Sequence, residues 1–185
     1  MDGLAFKKCI NEMLKPYGFR RTGKNWGVEK DGLLIVVTIY KSSYCNGYSV
    51  QCGAKLNCEK YVKYPEAGTL DTYDIFLFPA DPDYKADAYR EALHTLPKGE
   101  AGHHWIVRQY IDLDLFHDAT VIEAIRHNIE KRLLPMLSFD ELKQLLQNDQ
   151  YYIGCSFHPE NLLKYGVSEE QLIKYSSRYR SFLKQ

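Results

Sequence analysis

The sequence predicts an α+β fold: one N-terminal helix, an antiparallel meander sheet of about five strands, and C-terminal helices packed on the sheet. Three observations carry this expectation. The hydrophobic period changes from helical to two at Gly18, and it becomes helical again after Leu113. Between those points the strand-like segments follow one another without the long helical crossovers that parallel pairing requires.

Leu4, Ala5, Cys9, Ile10, Met13 and Leu14 recur at helical spacing, and Asp2 is placed to cap the start. Pro16 cannot continue that helix, and Gly18 suits a left-handed cap. Arg20-Arg21 reads as a basic turn. Residues 25–30 form a short strand closed by Asp31-Gly32, a strong hairpin signal. Residues 33–41 are apolar on both faces, so they belong in the middle of the sheet with material packed on each side. Asn46-Gly47 supplies the next turn. In the strand that follows, Tyr48, Val50, Cys52, Ala54 and Leu56 alternate with Ser49, Gln51, Gly53 and Lys55, which predicts one wet face. Residues 57–70 read as a loop around Pro65. A fourth strand is expected over 73–78, a short helix over 84–93, a loop over 96–102, and a fifth strand over 105–113.

The remainder is helical in pattern. Ile122, Ile125, Ile129 and Leu133 form one stripe that Pro135 should end, and Thr120 with Glu123 resembles a capping box. Ser138 with Glu141, and Ser168 with Gln171, repeat the capping arrangement, each flanked by apolar residues that form a staple. Leu172, Tyr175, Tyr179 and Phe182 make the stripe of a single last helix. The chain reads as one domain over 1–185, with a subdivision into a sheet part, 1–118, and a helical part, 119–185. Residues 150–158 mark the break.

A chain of 185 residues with 45 % hydrophobic content can bury a sizeable core without disulfides or metal. Its 24 basic and 24 acidic side chains cancel, so no global field draws it to nucleic acid or membrane. The local balance is uneven. Residues 1–24 carry Lys7, Lys8, Lys15, Arg20, Arg21 and Lys24 against Asp2 and Glu12, whereas residues 66–91 are predominantly acidic. These are two surfaces that attract each other, or a basic patch for an acidic partner. The five cysteines show no two-residue spacing of the zinc-knuckle or redox kind. No apolar signal core and no stretch approaching about 18 apolar residues is present. A cytoplasmic, reduced protein is the expectation.

No catalytic motif, phosphate-binding glycine loop or nucleophile elbow occurs. The His/Asp-rich segment 103–118 offers His104, Asp112, His117 and Asp118 for a metal-dependent or acid–base enzyme. Adjacent His103 and His104 would point to opposite faces of a strand, which argues against a shared metal. No cofactor is expected. Three of the fifteen tyrosines, Tyr40, Tyr44 and Tyr48, cluster instead around one hairpin. Trp26, Tyr40, Lys41, Ser42, Tyr44 and Tyr48 are the candidate binding residues, because tyrosine combines rigid amphipathic area with a hydrogen-bonding tip. A non-enzymatic binding or protein-interaction module of an immunity-like or regulatory kind is therefore the first expectation. The first alternative is the enzyme above. The second is single-stranded nucleic-acid binding through stacked aromatics, which the zero net charge disfavours.

The segments Phe6-Lys7-Lys8, residues 14–19, Arg20-Arg21-x-Gly23, Trp26, Tyr40-Lys41-Ser42 and Asn46-x-Tyr48 to Gly53 follow one another in an order that resembles the bacterial family of domain of unknown function 4304. The resemblance covers about residues 5–56. It implies a cytoplasmic bacterial α+β domain and no activity. Members commonly carry glutamine where this chain has Tyr40.

Overall fold

The computed structural model describes residues 1–43, 45–56, 60–75, 110–114, 116–148 and 156–184. Helix α1 (Gly3–Leu14) is capped by Asp2, whose side chain accepts from the N–H groups of Leu4 and Ala5. It buries Phe6, Ile10 and Leu14, one side chain per turn along a single line, and leaves Leu4 in solvent. A 3-10 turn through Pro16 ends it, and Gly18 closes that turn at φ 85°.

Six strands follow: β1 (Arg20–Thr22), β2 (Asn25–Lys30), β3 (Leu33–Lys41), β4 (Gly47–Leu56), β5 (Asp74–Ile75) and β6 (Ile111–Asp112). All pairings are antiparallel, in the order β1-β2-β3-β4-β5, with β6 pairing the start of β4. The sheet and the helices around it make the α+β fold that the change of period predicts. Arg20-Arg21 forms an edge strand where the sequence suggested only a turn, because Gly23 (φ 67°) folds it back on Asn25-Trp26-Gly27. Asp31 and Gly32 both adopt positive φ, the geometry that matches strand twist in a two-residue hairpin.

Strand β3 has two buried faces, as its apolar run demands. Leu33, Ile35, Val37 and Ile39 join a large core with α1 and the C-terminal helices, while Leu34 and Val36 pack with Tyr64 and Leu70. The register explains how residues 60–73 lie on that second face. Gly27 and Gly53 flank Val36 in one row across the sheet. A Cβ on Gly27 would stand 2.5 Å from the Tyr64 ring, and one on Gly53 would stand 2.4 Å from the Thr72 carbonyl oxygen. The two glycines thus leave a flat track. The face of β4 expected to be wet is covered by this segment, and Ser49 is only 4 % exposed.

Helix α2 (Asp118–Asn128) begins three residues earlier than the Thr120 capping pattern suggested, with His117 in the cap position. Pro135 does not end the helical path; a π-helical segment (Ile129–Leu133) and a 3-10 turn (Leu134–Leu137) carry it onward, with proline in the first turn where its missing N–H costs nothing. Helix α3 (Phe139–Asn148) follows, then a 3-10 segment (Pro159–Tyr165). The single last helix is two, α4 (Glu169–Tyr175) and α5 (Ser177–Phe182). Ser176 is extended between them, and its hydroxyl accepts from the Tyr179 N–H to start the second. The Ser168/Gln171 capping box is complete in both directions. Tyr165 ties the helices to the sheet: its hydroxyl donates to Asp71 and accepts from the Leu56 N–H, both at 2.9 Å. One cluster of buried side chains includes residues from both the sheet and the helical segments. The expected helix over 84–93, the loop over 96–102, residues 150–155, and residues 76–78 and 105–109 of the expected fourth and fifth strands lie outside the described residues.

Candidate functional site

Strand β3 outlasts β2. The final β2 pairing is Asn25 with Thr38, and the Ile39 N–H still donates to the Lys24 carbonyl at 3.2 Å. Beyond that point the chain on the β2 side has turned away through Gly23. On the β4 side the ladder continues, with Tyr40 opposite Ser49, Lys41 opposite Tyr48, and the Ser42 N–H donating to the Gly47 carbonyl. Antiparallel strands direct alternate residues' N–H and C=O groups to opposite sides. Those of Lys41 therefore face the notch that β2 vacates.

A cleft of about 470 Å³ occupies this notch. Four cations come to its wall from four places: Lys7 from α1, Arg21 from β1, Lys24 from the turn, and Lys41 from the end of β3. Tyr48, Ile39, Tyr40 and Gly23 complete its described lining. Tyr48 is 4 % exposed, stacked on Phe6 with ring centroids 4.8 Å apart, and carries the Lys7 ammonium 5.5 Å from its ring centre. Arg21 is fixed at two points. Its Nε donates to the Gly23 carbonyl at 2.9 Å, and its guanidinium stacks 5.0 Å from the centre of the Trp26 ring. Lys24 lies 4.1 Å from the centre of the Tyr40 ring and bonds Glu66 at 2.6 Å, and the Tyr40 hydroxyl donates to the same carboxylate. No described lining residue is acidic.

The Lys24–Glu66–Tyr40 cluster has a pH signature. Lys24, and secondarily the Tyr40 hydroxyl, hold the Glu66 carboxyl below the ordinary carboxylate range; burial, reinforced by Glu66, pushes the Tyr40 hydroxyl up. A depressed carboxyl contributes stability that is complete above its unfolded value and is lost as pH falls through its folded one. The stability difference between wild type and Glu66→Gln should therefore be full above about pH 5 and shrink steadily below about pH 4. Lys24 and Glu66 are nearly half exposed, so the difference should not exceed about 1 kcal/mol. Urea unfolding of both proteins across that pH range reads it directly; a difference that grows on acidification would contradict the geometry.

A second cleft, of about 520 Å³, abuts the first. It shares Tyr40 and Lys41 and is otherwise lined by Ser49, Gln51, Thr69, Tyr73 and Phe157, among others. Tyr40 and Lys41 are consecutive strand residues, so their side chains lie on opposite faces of the sheet and the two clefts wrap the end of β3.

The structure thus brings Tyr40, Lys41 and Tyr48 to one cleft. Trp26 is fully buried in the main core, its Nε1 donating to Asn11 at 3.0 Å, and it serves the cleft only as the plate beneath Arg21. Ser42 is buried, and its hydroxyl accepts from the Cys45 N–H to close the hairpin tip. Tyr44 lies outside the described residues. Lys7, Arg21 and Lys24 were not among the sequence candidates; their signals were the positive surplus of residues 1–24 and, for Lys7 and Arg21, a place in the segments that carry the family resemblance.

His104 also lies outside the described residues. Asp112 is 9 % exposed and accepts from the Asp114 N–H, His117 precedes α2, and Asp118 pairs with the Met1 amino group. Among the described residues, no group of three or more His, Cys, Asp or Glu side chains is placed to hold a metal ion. Nor is any described helix long and apolar enough to cross a membrane.

A sheet flanked by one N-terminal helix and a helical C-terminal part, with a basic notch where β3 outlasts β2, defines an α+β protein whose recognisable feature is a cleft and not a catalytic motif. The chain belongs to the family described as domain of unknown function DUF4304, which it matches over residues 10–138, from α1 to the turn before α3. That span includes every described residue of the basic cleft except Lys7. No curated protein and no solved structure matches the chain.

Proposed function

We propose that this protein is a non-enzymatic binding module, at home in the cytoplasm, that holds an anionic ligand in the cleft beside the end of β3. The observation that carries this reading is the convergence of Lys7, Arg21, Lys24 and Lys41 on one concavity with no carboxylate in its described wall. Lys24 already pairs with Glu66, but Lys7, Arg21 and Lys41 share the concavity with no carboxylate in its described wall. Like charges so gathered repel one another, and an anion between them relieves that repulsion while forming charge-assisted hydrogen bonds. The Lys41 N–H adds a fixed backbone donor. A volume of about 470 Å³ is within the range of small-molecule sites.

The same wall favours holding over turnover. Its described residues include no carboxylate, imidazole or thiol to move a proton or attack a bond. Tyr40, its hydroxyl committed to Glu66 and its pKa raised, is a poor base or nucleophile near neutrality.

Calorimetric titration with inorganic pyrophosphate tests the proposal. One site is expected, with affinity falling as salt rises. Arg21→Ala/Lys41→Ala should weaken binding at least tenfold, since hydrogen bonds to charged groups contribute about 1.5–3 kcal/mol each. Lys30→Ala/Lys131→Ala removes two exposed cations outside the cleft and should change nothing. Equal losses in the two variants would reduce the effect to net charge and defeat the proposal.

A further inference from the structure

We infer that the ligand is a nucleotide, its phosphates in the basic cleft and its base in the neighbouring groove; this rests on the anion-binding reading and adds the ligand's second half. The two grooves differ sharply in chemistry although they meet at Tyr40 and Lys41. The second contains no described cation other than the shared Lys41, and its described carboxylate, Glu66, is already bonded to Lys24 and Tyr40. What it offers instead is flat apolar surface with neutral polar groups beside it. Phe157 is 44 % exposed at its edge and packs edge-on against Tyr73, with centroids 4.8 Å apart and planes at 65°. The Arg178 guanidinium backs Phe157 at 4.1 Å. Thr69 donates to the Glu66 carbonyl and Gln51 to the Ser49 hydroxyl, which leaves the Thr69 oxygen and the Gln51 carbonyl as acceptors and the Ser49 O–H and the second Gln51 N–H as donors.

A multiply charged anion fits the first groove, and a planar, uncharged ring with hydrogen-bonding edges fits the second. A ligand that covers both must join these parts over the short saddle of two consecutive residues. Nucleoside phosphates have that construction: a compact anion linked through a sugar to an aromatic base that stacks on side-chain rings. A free nucleotide and the end of a single strand share this chemistry.

Calorimetry with four probes decides the matter: pyrophosphate, adenosine diphosphate, adenosine, and a ten-nucleotide thymidine oligomer carrying a 5′-phosphate. Adenosine diphosphate should bind about tenfold more tightly than pyrophosphate, in keeping with one stacked base, and adenosine should bind most weakly. Phe157→Ala should bring adenosine diphosphate down to the affinity of pyrophosphate and leave pyrophosphate unchanged. Phe157→Leu keeps apolar bulk against Tyr73 and should reproduce that result if the lost ring, not a disturbed fold, is the cause. Tighter binding of the oligomer than of adenosine diphosphate assigns the site to a strand end, and the reverse order assigns it to the free nucleotide. Pyrophosphate binding with no gain from the base overturns this inference and leaves the anion cleft standing. Failure of every anion to bind removes both.

Discussion

Trp26→Ala should lower the stability of the protein by about 3–5 kcal/mol, the usual cost of deleting a large buried aromatic side chain. Trp26 is 0 % exposed and stands on β2 opposite Val37, inside the cluster formed with Phe6, Ile10 and Leu14 of α1. Its removal would leave a cavity where helix meets sheet and would strip the Asn11 side chain of its Nε1–H donor. Arg21 would also lose the ring on which it lies. Equilibrium unfolding in urea should show a lower midpoint, and binding of pyrophosphate to the fraction still folded should weaken only through the freed Arg21. A loss below about 1 kcal/mol would mean that the indole is not the core element described.

Gly53→Ala is expected to cost about 3 kcal/mol, at the upper end for overpacking, because the obstacles are backbone. The added Cβ would lie 2.4 Å from the Thr72 oxygen and 2.6 Å from the Ala67 oxygen, neither of which can rotate aside. The segment they belong to is pinned to the sheet on both sides of the clash. Thr72 makes three hydrogen bonds with the main chain of Ala54, and the Ala67 N–H donates to Thr38. Lifting it would also move Glu66 and Tyr73, two walls of the second groove. Thermal unfolding combined with amide exchange should show lower protection at Ala67 and Thr72 than in wild type. Unchanged exchange there would contradict the packing.

Patterns that depend on one element alone were legible in the sequence. The two-faced burial of β3, the Asp31-Gly32 turn and the Ser168 capping box each follow from neighbouring residues, and each is present. Features that need two elements were not. The parity of Gly27 and Gly53 is readable, but their alignment beside Val36 is a matter of register, and only that alignment makes the track for residues 60–73. Strand β1 has three residues and no alternation of its own, so its pairing with β2 left no periodic trace. Ser176 divided the last helix because a serine that caps forward can outweigh an apolar stripe that runs through it.

The candidate site divides along the same line. Tyr40, Lys41 and Tyr48 were visible as a polar-aromatic strand end, and all three line the cleft. Trp26 is a binding candidate by sequence, and its full burial puts it in the core. Lys7 and Arg21 were visible only as part of a charge surplus and of the segments that carry the family resemblance, since nothing local says that a helix and an edge strand will direct two cations to the same notch.

Amide chemical-shift mapping with pyrophosphate tests the central claim most directly, because it locates the anion and not only its affinity. The largest changes should fall on Gly23, Lys24 and Lys41, with the Lys41 N–H moving downfield as it acquires an acceptor in the notch beyond β2. Changes that scatter over the basic surface, or that centre on a helix away from β3 while Lys41 stays fixed, would contradict the account.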